Sequence, residues 1–247
     1  MKKKINYKGL ILAAGRGSRM GKASANCSKC MIKIEEKSLI EYQLQSLKNA
    51  GLTKIAIVTG YKNQLLEKYL EKKIHNNLWE KTNMVYSMLC AKRWIDEPTI
   101  ISYSDIIYPH KFVNELIKKD GDIVIVADTN WRLLWERRFE NPLEDAESFY
   151  FKDDQLIEIG KKITNLDDIK AQYIGLLKIT PRAINTIINL FEGNILKKLD
   201  FTSLLQMLIE KEVGIKIVFT KDKWFEIDNQ KDLKIARDYL SNKNKYF

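Results

Sequence analysis

Between Gly9 and Ala127, short apolar runs alternate with stretches whose apolar residues recur at helical spacing, and no other feature of the chain restricts its fold as strongly. The run Gly9 to Ala14 is short, apolar and ended by glycine; it reads as a buried strand, a choice that periodicity alone does not make. Leu39 to Ala50 places Leu39, Ile40, Leu44 and Leu47 at helical intervals, and Gly51 follows as a stop. Lys54 to Gly60 is a second strand. Helices near Gln64 to Lys72 and from Met84 to Trp94 come next, then a strand at Thr99 to Tyr103 that ends in Ser104-Asp105. A helix from His110 to Lys118 and a strand from Asp122 to Ala127 complete the series. Such a series is satisfied by an α/β fold, a mainly parallel central sheet with helices on both faces. Ligands bind such sheets beyond the carboxyl ends of the strands.

After Asp128 the pattern changes. Glu147 to Phe151 and Leu156 to Gly160, separated by Lys152-Asp153-Asp154-Gln155, predict a hairpin, and Tyr173 to Ile179 a further strand. Thr180-Pro181 starts a helix, with threonine as cap and proline in the first turn. Helices at Arg182 to Phe191 and Phe201 to Lys211, a strand at Ile215 to Phe219 and a helix from Gln230 to Leu240 follow. No internal repeat or Pro/Gly/Ser linker divides the 247 residues, so one domain is expected over 1–247, with an inserted hairpin region at about 129–172.

Composition narrows the classes. With 45% apolar and 30% charged residues the chain is ordinary globular material. It has no apolar run near the ~18 residues of a membrane span, and its start lacks the apolar core of a signal peptide. A cytoplasmic protein with no membrane partner is expected. Lys+Arg 42 against Asp+Glu 32 gives +10, a field that attracts anions. The lysines are scattered without interleaved stacking aromatics, which speaks against nucleic acid. Three cysteines make no disulfide framework. The pair Cys27-Ser28-Lys29-Cys30 has redox or zinc spacing, but Cys90, His75 and His110 supply no matching second pair.

The first strand runs into Gly15-Arg16-Gly17-Ser18-Arg19-Met20-Gly21, where paired glycines let backbone N–H groups close around an anion. No Gly-Lys-Ser/Thr ends this loop, so it is not a Walker loop. The second strand ends in Thr59-Gly60 rather than in a ribose-binding acid, which disfavours a nicotinamide enzyme. An ordinary turn is the alternative for the loop taken alone.

Leu12-Ala13-Ala14-Gly15-Arg16-Gly17-Ser18-Arg19, followed by Lys29 and by Leu39-Ile40-Glu41-Tyr42, resembles the signature of the sugar-nucleotidyltransferase superfamily. Lys22 and Ser28 stand where that superfamily commonly has prolines. The resemblance implies a Rossmann-like nucleotidyltransferase domain in which Leu12, Ala13, Ala14, Gly15, Gly17 and Ser18 bind the nucleotide. Arg19 and Lys29 would be catalytic, neutralising charge as pyrophosphate leaves. Ser102-Tyr103-Ser104-Asp105 and Phe225-Glu226-Ile227-Asp228 resemble the superfamily's metal-binding segments, so Asp105 and Asp228 are expected to hold Mg²⁺, a hard ion suited to carboxylates and phosphates. Each aspartate alone would read as a solvated strand end or a helix cap.

Asn83-Met84-Val85-Tyr86-Ser87-Met88 resembles the helix start of cytidylyltransferases that act on small phosphorylated amines, which places Asn83 and Ser87 at the nucleotide; Asn83 as a plain helix cap is the alternative. The stretches 141–147, 159–162 and 172–176 resemble members associated with phosphonate and phosphoramidate decoration of surface polysaccharides. The implied partners are CTP and a small phosphorylated acceptor, L-glutamine phosphate being favoured, and a homo-oligomer is left open. One of Arg132, Arg137 and Arg138 is expected to grip an acceptor carboxylate by an arginine fork, with Tyr173 and Trp224 beside it; a solvated helix face is the alternative for these arginines. Trp131, Trp135, Tyr173 and Trp224 as an amine box is the competing arrangement, and plain packing of these rings against the sheet is the commoner reading. A sugar-1-phosphate nucleotidyltransferase, a nucleotide-sugar glycosyltransferase and a non-catalytic nucleotide or nucleic-acid binder are the alternatives.

Overall fold

In a computed structural model of the chain, residues 6–17, 20, 28–69 and 71–241 are described; Ser18, Arg19, Lys22 and Cys27 lie outside them. The first apolar run forms β1 (Lys8–Ala13), buried along its whole length. A short ribbon of β2 (Lys33–Ile34) and β3 (Lys37–Ser38) leads into α1 (Leu39–Asn49). There follow β4 (Lys54–Thr59), β5 (Lys73–His75), α2 (Met84–Cys90), β6 (Thr99–Tyr103), β7 (Ile106–Ile107), α3 (His110–Lys118) and β8 (Ile123–Asp128). Then come α4 (Arg132–Arg138), the hairpin of β9 (Glu147–Lys152) and β10 (Gln155–Lys162), and β11 (Gln172–Ile179). The chain continues through α5 (Pro181–Leu190), α6 (Gly193–Leu196), α7 (Phe201–Glu210), β12 (Lys216–Thr220), β13 (Phe225–Glu226) and α8 (Gln230–Leu240).

Nine strands form one sheet in the order β5-β4-β1-β6-β11-β8-β12-β10-β9. Seven of the nine run the same way, and only β10 and β11 run against them. The reversal of β11 has a simple cause. The segment after β8 leaves the sheet at its carboxyl edge and returns there, so Gln172 at the start of β11 pairs with Asp128 at the end of β8. Successive side chains of a strand point to opposite faces. Leu10 and Leu12 of β1 therefore join one core with α2, α5 and α7, while Ile11 and Ala13 join another with α1 and α3. A third cluster, including Met20, Ile34, Leu39, Ile107, Phe225, Ile227 and Leu233, packs α8 and the two ribbons against α1. Among the described residues no helix is long and apolar enough to cross a membrane.

Local chemistry sets the helix ends. Glu41 accepts from the Ser38 backbone N–H at 2.7 Å and so closes a capping box on α1. Thr180 caps α5 by accepting from the Ala183 N–H, with Pro181 in its first turn. Two expectations need correction. The predicted helix from Gln64 to Lys72 is a 3₁₀ run, Asn63–Tyr69, followed by β5. The run buries only Leu66, too narrow an apolar face to sustain a longer helix, and from Lys73 the backbone is extended because it pairs with β4. The predicted helix from Met84 to Trp94 stops at Cys90, because its last turn is drawn toward the sheet, where the Trp94 indole N–H donates to the Gly9 carbonyl at 3.2 Å.

Gly175 has φ +79°, and a Cβ there would lie 2.5 Å from the rigid Tyr103 ring; Gly51 has φ +88° but open space around it. Gly51→Ala should therefore cost about 1 kcal/mol, the left-handed backbone penalty alone. Gly175→Ala should cost about 2–4 kcal/mol, because overpacking is added. Equal denaturation midpoints for the two variants in urea would contradict this.

Candidate active site

Beyond the carboxyl end of β1 the chain passes through Ala14, Gly15, Arg16 and Gly17. Gly17 has φ +69°, and a Cβ on it would sit 2.5 Å from the Lys29 Cβ, so only glycine lets the loop lie directly on Lys29. Gly60, at the end of β4, has the same property toward the Ala14 carbonyl oxygen, at 2.5 Å. These contacts shape one wall of a cleft of about 260 Å³, lined by Leu12, Ala14, Gly15 and Gly17. The opposite wall carries Trp79, Asn83, Met84 and Ser87, and Lys29, Asp105 and Asp228 also line the cleft. Ala13, by contrast, points into the core. Asn83 does cap α2, accepting from the Met84 N–H at 2.8 Å, while it lines the cleft. The buried Asn76 amide donates to the Ser87 hydroxyl at 3.1 Å and fixes its position.

Asp105 and Asp228 are more than a hundred residues apart in sequence and are brought together by a ribbon. β7 and β13 pair antiparallel, Glu226 opposite Ile106, and the Ile227 N–H donates to the Asp105 carbonyl at 2.9 Å. Glu226 joins the two aspartates, and one oxygen from each of the three carboxylates lies within 4.8 Å of the others. Asp105 Oδ1 is buried and has no hydrogen-bond partner among the described residues. A close set of hard oxygen donors with an unused buried lone pair fits a divalent cation.

Two protein cations hold this set. Lys29 Nζ donates to Asp105 Oδ2 at 2.6 Å and to Asp228 Oδ1 at 2.5 Å. Burial alone would push the ammonium's pKa down, but Asp105 and Asp228 raise it above its ordinary value. Arg138, buried, donates to Glu226 at 2.5 Å, to Asp232 at 3.1 Å and to Asp228 at 3.3 Å. Asp232 in turn accepts from the Asp228 N–H at 2.9 Å. The cap of α8 is Asn229, which leaves the Asp228 side chain to the cleft.

A second cavity of about 190 Å³ adjoins the first, and Asp228 lines both. Tyr103, Trp135, Tyr173 and Trp224 line it together with Asp145, Glu147 and Glu226. Tyr173 and Trp224, the residues expected beside the acceptor, both line this cavity, and residues 129–172 contribute Trp135, Asp145, Glu147 and Gln172. The three arginines do not line this cavity. Arg132 is exposed and paired with Glu136 at 2.9 Å and Asp167 at 2.8 Å. Arg137 lines a smaller cavity with Lys221, Lys223 and Trp224. Arg138 is committed to the carboxylates behind Trp135, its guanidinium 5.3 Å from that ring. The cause is the register of α4, which turns one arginine to solvent and another into the interior.

Glu226 carried a sequence signal that the aspartate motif overshadowed. It lies two residues before Asp228 in an extended segment and so faces the same side. Trp79 had none, and the resemblance of 141–147 singled out neither Asp145 nor Glu147, since loop and hairpin positions reveal no partner until the chain is folded.

Replacing Lys29 by methionine removes one counter-charge from the carboxylates, and breaking such a pair costs about 3–5 kcal/mol. Added Mn²⁺ should then raise the melting temperature of Lys29→Met more than that of the parent, because the ion takes the charge position that the ammonium left. An equal rise in both would place the ion elsewhere. A second prediction concerns Glu147, whose carboxyl burial, Asp200 and Asp145 push from the ordinary 4.5 up to about 7. Ionisation therefore works against the fold, and the stability present below pH 4.5 is lost as pH rises through about 7. Glu147→Gln should stabilise the protein by about 1–2 kcal/mol at pH 8, discounted for partial exposure, and have little effect at pH 4. Denaturant curves at the two pH values test this.

Comparison with known proteins agrees with this geometry. Residues 9–155 match the MobA-like NTP transferase domain. A CTP:phosphoglutamine cytidylyltransferase of Campylobacter jejuni is 38% identical over 92% of this chain and 97% of its own. A choline-phosphate cytidylyltransferase of Streptococcus pneumoniae is 26% identical over 96% of this chain and 100% of its own. Among solved structures, the inositol-1-phosphate CTP transferase from T. maritima superposes with a TM-score of 0.78 at 17% identity, covering 95% of this chain and 94% of that one, a likeness of fold. With a glycine loop facing a carboxylate cluster across a cleft, and with these matches along its length, the chain belongs to the MobA-like NTP transferase family and is a nucleotidyltransferase enzyme.

Proposed function

We propose that the chain is a cytoplasmic enzyme that transfers CMP from CTP to L-glutamine phosphate, releasing pyrophosphate, with Mg²⁺ as its ion. The observation that carries the reading is the 38% identity to a CTP:phosphoglutamine cytidylyltransferase over 92% of the chain. The arrangement of two cavities meeting at Asp228 supports it, since a nucleotide and an acceptor must meet at one phosphorus. The acidic lining of the second cavity speaks against a neutral sugar as the group next to the acceptor phosphate.

In this reading an acceptor phosphate oxygen attacks the α-phosphorus of CTP, and the bond from that phosphorus to the bridging oxygen breaks, its electron pair leaving with pyrophosphate. The acceptor oxygen needs no general base, because a phosphoryl group with its second ionisation near ~6, as in phosphorylated side chains, already carries an anionic oxygen at neutral pH. Catalysis is then positioning and charge neutralisation. The backbone of Gly15 to Gly17 cradles the phosphates, and Leu12, Ala14, Asn83 and Ser87 line the nucleoside side. Asp105, Asp228 and Glu226 would hold the divalent ion, whose chemistry when bound is to neutralise phosphate charge. Lys29, released from the carboxylates, and Arg19 and Ser18 outside the described residues, complete the anion site.

A panel of CTP, UTP, ATP and GTP with L-glutamine phosphate should give pyrophosphate fastest with CTP and none in EDTA. Lys29→Ala and Asp105→Asn should each lower turnover by roughly two to three powers of ten, comparable to losing a preorganised charge contact. Faster reaction of UTP with a sugar phosphate would move the protein to the sugar-activating branch.

A further inference from the structure

The cavity beside Asp228 is lined by Asp145, Glu147, Glu226 and Asp228, and among the described residues no lysine or arginine lines it. Glu226 and Asp228 have Arg138 and Lys29 as counter-charges. Glu147 forms no salt bridge among the described residues, and its neighbours in charge are Asp145 and Asp200, both negative. This corner therefore holds an excess of negative charge, and burial with those two neighbours already pushes the Glu147 carboxyl up to about 7. A bare carboxylate would be repelled here, whereas a cation would be drawn in.

The aromatic residues restrict what kind of cation. Trp135 and Trp224 are only 4% and 3% exposed. Trp131 meets Trp135 edge-on at 5.8 Å, Trp224 tilts against it at 6.1 Å, and the Arg138 guanidinium covers a Trp135 face at 5.3 Å. These rings are spent on one another and on arginine, so they do not form an open box for a methylated cation. The remaining recognition groups are carboxylate oxygens, which accept hydrogen bonds. A primary ammonium offers three N–H donors, and a quaternary one offers none.

Resting on the cytidylyltransferase reading above, we propose that Glu147 and Asp145 form the acceptor-specificity site of this enzyme, which holds a primary ammonium group of the phosphorylated acceptor and rejects a quaternary one. The acceptor's carboxylate, if present, faces away from this corner. This replaces the arginine fork as the basis of selection. The phosphate end of the same molecule lies toward Asp228, where the two cavities meet.

The test uses L-glutamine phosphate with its Nα-acetyl and Nα-trimethyl derivatives, which keep phosphate and carboxylate and differ only at nitrogen. With CTP and Mg²⁺, both derivatives should lose about 10- to 100-fold in kcat/KM, the value of a charge-assisted hydrogen bond. Glu147→Gln, expected to fold at least as stably as the parent, should raise KM for L-glutamine phosphate about 10-fold while leaving KM for CTP and the rate with the uncharged Nα-acetyl derivative unchanged. A trimethyl derivative as good as the parent compound would overturn the proposal in favour of an aromatic box. An acetyl derivative as good would show that the ammonium is not recognised. Equal turnover of all three sinks this inference and leaves the cytidylyltransferase reading standing, whereas no pyrophosphate from CTP with any of them overturns both.

Discussion

Three carboxylates with oxygens within 4.8 Å of one another repel strongly, by about 3–4 kcal/mol per ionised pair at protein-like screening. The architecture around the cleft is arranged to tolerate that repulsion. Lys29 bridges Asp105 and Asp228, and Arg138 bridges Glu226, Asp228 and Asp232, so the cluster is held by two cations from different parts of the chain. Each cation needs its own support. Lys29 lies under Gly17, which has no Cβ to displace it, and Arg138 is fixed between Trp135, Phe139 and the start of α8. A change at Gly17 would thus reach the carboxylates through Lys29.

The parallel sheet supplies the frame on which this is possible. β1 lies between β4 and β6, with Leu12 opposite Tyr103, so the glycine loop and the segment leading to Asp105 leave the sheet side by side. Asp228 arrives from the far end of the chain and is tied in by the β7–β13 ribbon. The reversed strand β11 lies next to β6 and carries Tyr173 and Gly175 at its opening turns, where they meet Tyr103. The same strand that joins β6 to β8 in the middle of the sheet therefore shapes the second cavity. Its glycine permits close packing of the residue two positions before Asp105.

That second cavity differs in character from the first. The cleft joins glycine backbone and a lysine, groups suited to an anion, to carboxylates suited to a metal ion. The neighbouring cavity has carboxylates and packed aromatic rings, with no basic residue in its lining among the described residues. Asp228 belongs to both, so the boundary between a compartment lined by glycine backbone and lysine and one lined by carboxylates falls at one side chain. A phosphorylated ammonium compound has its two charges distributed in the same way.

Much of this was legible in the sequence wherever the cause is local. The runs at Lys8–Ala13, Thr99–Tyr103, His110–Lys118 and Gln230–Leu240 have the structure their patterns predict, because burial on one or both faces is written in the spacing of apolar residues. The cap at Thr180-Pro181 follows from side-chain chemistry within one turn. Lys29, Asp105 and Asp228 could be picked out because they sit in recognisable segments. The roles of the arginines could not. Arg132 and Arg138 lie on the same short helix, and only its packing decides that one faces Asp167 in solvent while the other is buried against Glu226 and Asp232. Glu147 and Asp145 likewise line one cavity, with Asp200 near enough to act on the Glu147 charge, through the pairing of β9 with β10 and the docking of α7 on them. Apolar periodicity is a short-range code, whereas the meeting of charges depends on which distant segments share a space, and that is decided only when the chain is packed.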